Sequence, residues 1–250
     1  MSVYLFVLPA AAEAAKDRLN GVKCRNDGGC CKRLNRFWRS ETTKSKHGEN
    51  GKYFELTDSP NYPWAEVLSC PTIYSKFAEG LKLLHDFSRT NAASMNYYKW
   101  AKTEMAEKEW GFAFREGKGR FASANPAMAA IAFSAYYGSF RELTPATIAS
   151  TIIHEVNHLA FNSGHVKCTH GQREGIVGCD ETFVQNLSSD AGAFSWQLIF
   201  QHDLIQSGLS SKVRAPLKAN LKTIINNLIN TLPRYGPGGK TPIKKYYGIE

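Results

Sequence analysis

The stretch that decides the reading is Thr144 to Gly164, TPATIASTIIHEVNHLAFNSG. Thr144 suits an N-cap, because its hydroxyl can accept from a backbone N–H of the first turn, and Pro145 suits the first helical position, where no N–H is needed. Apolar residues then recur at Ile148, Ile152, Ile153, Val156 and Leu159, the spacing of one buried helical face. Asn162-Ser163-Gly164 ends the pattern, since Asn and Gly tolerate the left-handed backbone that closes a helix. Within this helix lies His154-Glu155-Val156-Asn157-His158. Residues four apart share a helical face, so both imidazoles can address one metal ion while Glu155 sits beside them.

Around that helix the chain alternates. Ile73, Phe77, Leu81, Leu84 and Phe87, then Met95, Tyr98, Ala101 and Met105, recur at steps of three and four and predict one or two amphipathic helices between Pro71 and Glu109. Met128 to Tyr137 reads as a strand entered from the Asn125-Pro126 break. Asp180 to Leu204 and Ser211 to Leu232 read as two further helices. Residues 16–75 are polar and turn-rich and read as a loop-rich, cysteine-containing N-terminal region, residues 76–205 as the core, and 206–250 as a helix with a basic tail. The fold class expected is α+β, with a small sheet over the motif helix and a helix-rich C-terminal half.

The chain has 250 residues, 43% hydrophobic, 12% aromatic and 21% charged, which suits a folded core and excludes disorder as a whole. Residues 3–12, VYLFVLPAAA, form an apolar run followed by small residues, so residues 1–15 read as a signal peptide and the protein as secreted or periplasmic. No other run approaches the ~18 apolar residues of a membrane helix, so no transmembrane segment is expected. The six cysteines, Cys24, Cys30, Cys31, Cys70, Cys168 and Cys179, include no C-x-x-C pair and read as disulfides, with Cys168 and Cys179 closing a short loop. The formal net charge of +9 and the lysines Lys218, Lys222, Lys240, Lys244 and Lys245 allow docking on an anionic surface. No nucleic-acid-binding motif accompanies that charge, so no nucleic-acid partner is expected.

On the motif and its helix, the sequence resembles the zincin metallopeptidases, over about residues 128–205. The resemblance implies a zinc cofactor held by His154 and His158, with Glu155 as general base, and a protein or peptide substrate. It also implies that the strand before the helix, here Met128 to Tyr137, is an edge strand that holds the substrate in extended form. A third ligand is required. His165 is the first choice: the H-E-x-x-H-x-x-G-x-x-H pattern of the metzincins has its glycine where this chain has Phe161, and its last histidine one residue before His165. A helix prolonged to Asn162 returns the chain equally well. His170, Asp180 and Glu181 are the rivals, with Asp180 also readable as a helix N-cap and Asp190 as a partner to a ligand histidine. The alternative function is a non-catalytic, secreted zinc-containing module that docks on anionic polymers or an envelope surface.

Overall fold

The computed structural model describes residues 28–43, 53–57, 72–115, 121–134, 144–169, 175, 177–180, 187–208, 211–229 and 247. It is a mixed α+β fold. In chain order the elements are α1 (Gly28–Glu41), β1 (Thr42–Thr43), β2 (Phe54–Leu56), α2 (Ile73–Phe87), α3 (Tyr97–Glu107), β3 (Gly111–Arg115), β4 (Ala122–Asn125), a 3-10 turn (Pro126–Met128), β5 (Ala130–Ser134), α4 (Pro145–Phe161), β6 (Val166–Lys167), β7 (Val177–Cys179), α5 (Ala193–Gln206) and α6 (Ser211–Ile229).

Five strands form one sheet in the order β1-β2-β3-β5-β4, parallel except for β4, which runs antiparallel to β5. The expected strand exists but is not the edge. All five residues of β5 are buried, and β5 is flanked by β3 and β4, so the edge on this side of the sheet is Ala122–Asn125. Tyr136 and Tyr137 lie outside the described residues. Strand β3, Gly-Phe-Ala-Phe-Arg, is buried at its first four positions. It has the near-continuous apolar run of a strand covered on both faces, not an alternation.

Helix α2 lies on the sheet through Phe77, whose ring meets those of Phe112, Phe114 and Phe133 at 5.0, 5.8 and 4.9 Å between centroids. Helix α4 packs in turn on α2, α3, α5 and β4. The α2–α4 approach is close because Gly80 has no side chain: a Cβ there would overlap Ile148. The expected caps of α4 are present. Thr144 Oγ1 accepts from Thr147 N at 3.2 Å, and Asn162 closes the helix at φ 49, ψ 35.

Two expectations for the other helices change. The region read as loop-rich contains α1, whose Leu34 and Trp38 enter the same core as Phe54 and Leu56. Its end is tied down by Glu41, which accepts from Tyr98 Oη at 2.5 Å and pairs with Lys102 at 2.7 Å. The helix expected from Asp180 begins only at Ala193, and residues 187–192 are not helical. The Cys168–Cys179 disulfide forms as expected, and Cys31 is disulfide-bonded, while Cys24 and Cys70 lie outside the described residues. Among the described residues no helix is long and apolar enough to cross a membrane.

Candidate metal centre

Helix α4 carries His154 and His158 one turn apart on the face turned toward the free side of β4. Asn162 then reverses the chain in the left-handed conformation, and His165 comes back over the helix end just before β6. The three imidazoles meet through their Nε2 atoms: 3.0 Å between His154 and His165, 3.2 Å between His158 and His154, and 3.1 Å between His158 and His165. Tetrahedral zinc at ordinary Zn–N distances of about 2.0–2.1 Å separates its nitrogens by about 3.3 Å. The nearly equilateral triangle therefore fits a single ion, and this buried group can bind a metal.

The protonation states fit as well. A carbonyl only accepts, so the 2.6 Å contact between His158 Nδ1 and the Ser163 carbonyl puts the proton on Nδ1 and leaves the Nε2 lone pair for a metal. Burial holds His154 well below the usual imidazole range, and the neighbouring His158 and His165 lower it further against the Gln197 amide. Burial also lowers His158, against its bond to Ser163. Neutral imidazoles are the ligand form.

Around the triad sits a layer of polar and aromatic groups. Ser163 Oγ donates to Asn157 Oδ1 at 3.1 Å, and Asn157 Nδ2 donates to the Ala191 carbonyl at 3.3 Å. Phe194, at the start of α5, stacks on His165 at 4.8 Å and 28° and meets His154 edge-on at 4.7 Å and 68°. Gln197, one turn on, is buried beside His154.

Glu155 points to β4. Its Oε2 accepts from Ala124 N at 2.9 Å. Phe121 carbonyl takes Ser134 N at 2.7 Å, so by the antiparallel alternation Ala122 and Ala124 direct their backbone groups away from β5, toward the cleft. That cleft has a volume of about 660 Å³ and opens onto Glu155 and all three histidines. Ala122 to Ala124 form one wall, Val177 and Gly178 of the disulfide-closed hairpin line it elsewhere, and among the described residues Glu155 is the one carboxylate that lines it.

Of the rival ligands, Asp180 is described and does not join the triad. It is buried, and its carboxylate accepts from Phe194 N at 2.9 Å and from Ser195 N and Oγ at 2.8 and 2.9 Å. It caps a helix, but one that starts thirteen residues further on. Burial pushes its pKa up to about 6 despite those three bonds. Asp190 is exposed and partners no ligand histidine. His170 and Glu181 lie outside the described residues, as do Lys240, Lys244 and Lys245, while Lys218 and Lys222 are exposed on α6. His202 packs on Tyr247 and does not line the cleft.

Sequence reasoning missed Phe194, Gln197 and Ser163. Ser163 is legible only as a turn residue, and Phe194 carries no signal beyond its apolar character. No protein-family model matches the chain, and no curated protein or solved structure matches it either.

Proposed function

We propose that this chain is a secreted, zincin-like zinc endopeptidase that hydrolyses peptide bonds, with His154, His158 and His165 as the zinc ligands and Glu155 as general base. The observation that carries the reading is the convergence of the three Nε2 atoms at 3.0 to 3.2 Å on the same cleft that Glu155 enters. A bound zinc ion supplies a Lewis acid and a water acidified to near neutrality. Glu155 would serve as the proton carrier, holding at its carboxylate the proton released by the attacking water and returning it to the departing amine nitrogen. Its bond to Ala124 N fixes one carboxylate oxygen against the edge strand. The outward backbone groups of Ala122 and the carbonyl of Ala124, whose N–H already donates to Glu155, pair with an extended substrate by strand addition. The disulfide supports an oxidising compartment.

The test is Glu155→Gln, which keeps an acceptor for Ala124 N. Metal analysis should find about one zinc per chain in both proteins. Cleavage of a library of unstructured peptides, read by mass spectrometry, should fall at least 100-fold in the variant, in the range of lost general-base catalysis. Equal cleavage by both proteins, or a wild type that takes up no zinc, refutes the reading.

A further inference from the structure

A helix usually caps itself. Helix α5 does not: its N-cap is Gly192, with no side-chain cap, and the free N–H groups of Phe194 and Ser195 are satisfied instead by Asp180, fourteen and fifteen residues upstream. A serine at 192 would supply a local acceptor without burying a carboxylate. The arrangement costs burial of an acid whose pKa rises to about 6, yet it joins two pieces that both touch the triad. Asp180 follows Cys179, whose strand pairs with Val166, the neighbour of His165. The residue whose N–H it holds, Phe194, has its ring against His165 and His154. The approach is close: a Cβ on Gly192 would stand 2.6 Å from the Asp180 carboxyl carbon and 2.8 and 2.9 Å from its oxygens.

We propose that Asp180 is a positioning residue of the metal centre, pinning the α5 N-terminus to the β6–β7 hairpin so that Phe194 holds His165 and His154 in ligating geometry. This inference rests on the metallopeptidase reading. Asp180 touches neither metal nor substrate, and its effect passes through Phe194.

The experiment uses the full-length, oxidised protein loaded with zinc or with Co²⁺. Four variants are compared with wild type: Asp180→Ala, Asp180→Asn, Gly192→Ala and Leu221→Ala. Gly192→Ala keeps the carboxylate but displaces it from α5, so it carries the test if Asp180→Ala fails to fold. Leu221→Ala, a buried residue of α6 that does not line the cleft, is the destabilising control. Zinc affinity should fall about 10- to 100-fold in Asp180→Ala and Gly192→Ala, the range for loss of a group that orients ligands, and by less in Asp180→Asn. The Co²⁺ visible bands of the folded protein should change in the first two and stay unchanged in Leu221→Ala. Affinity within threefold of wild type and unaltered bands in both Asp180→Ala and Gly192→Ala overturn the proposal while leaving the metallopeptidase reading intact. A wild type that binds neither metal overturns both.

Discussion

Opening the Cys168–Cys179 bridge should strip the centre of its third ligand before it unfolds the protein. The hairpin that brings His165 to the triad is short, two residues in β6 and three in β7, and a two-stranded piece of that size does not hold itself together in water. The bridge closes a loop with a sequence separation of 11; the chain-entropy relation gives about 3 kcal/mol for a loop of this length. If that energy is lost from the closed hairpin, the population competent for three-histidine binding falls about 100-fold, and the apparent dissociation constant for zinc rises by the same factor. Packing of Phe194 on His165 resists the opening, so a rise of roughly 10- to 100-fold is expected. The assay is zinc competition with a chromophoric chelator, on oxidised protein and on a Cys168→Ala/Cys179→Ala variant that leaves the bridge at Cys31 untouched. His165→Ala is measured in both backgrounds. In the bridged protein it should cost most of the affinity, and in the unbridged one little more. Zinc affinity within threefold with and without the bridge would refute the reasoning. So would an equal penalty for His165→Ala in the two backgrounds, because the bridge would then not act through that ligand.

Two further perturbations test the fold away from the cleft. Burial raises the Glu79 pKa from 4.5 to about 7, against the pull of Lys76; a raised folded-state value contributes stability below about pH 4.5 that is lost as pH rises through 7. Glu79→Gln, with no charge to bury, should therefore exceed wild type by about 1–2 kcal/mol above pH 8, the full shift being discounted because the side chain is only half-buried, and match it below pH 4.5. Urea denaturation across that range reads it, and a constant difference at all pH values would contradict it. Gln201 is fully buried with neither amide atom bonded among the described residues. Gln201→Leu should gain about 1–2 kcal/mol and raise Tm by about 2–8 °C, because an unsatisfied amide is removed. A loss in calorimetry would show that the amide is hydrogen-bonded in solution.

What was legible in the sequence follows the range of the forces involved. Helix α4 was readable to within a residue because its cap, its apolar period and its Asn162 stop are all local, and His165 followed from that stop. Helices α2 and α3 were readable from the same period. Strand β3 was not, since its buried residues give no alternation, and β5 was found but misplaced, because only pairing on both sides shows that a strand is interior. Helix α1 was hidden by a narrow stripe, Cys31, Leu34 and Trp38, behind a Gly-Gly start that reads as a turn. Asp180 shows the limit most directly. Its type and position looked like a ligand or a local cap, and only the fold brings it to Phe194 and Ser195.

The choice between a catalytic and a structural metal site turns on the fourth position and on Glu155. Structural zinc sites are closed by four protein ligands. Among the described residues no fourth ligand joins the triad: Asp180 spends both oxygens on α5, Glu155 turns one oxygen to Ala124, and the three histidines line an open cleft of about 660 Å³. Beyond the anchoring bond to Ala124, a purely structural centre has no use for a carboxylate kept at 6% exposure beside the histidines, and burying that charge costs free energy. The cost is understandable if the carboxylate moves a proton. The same residue also ties the motif helix to the edge strand, so the proposed base, two of the three histidines and the strand proposed to hold a peptide are set by one helix. Replacing Glu155 by Gln separates these roles, since the amide oxygen can still take Ala124 N while the proton can no longer be carried.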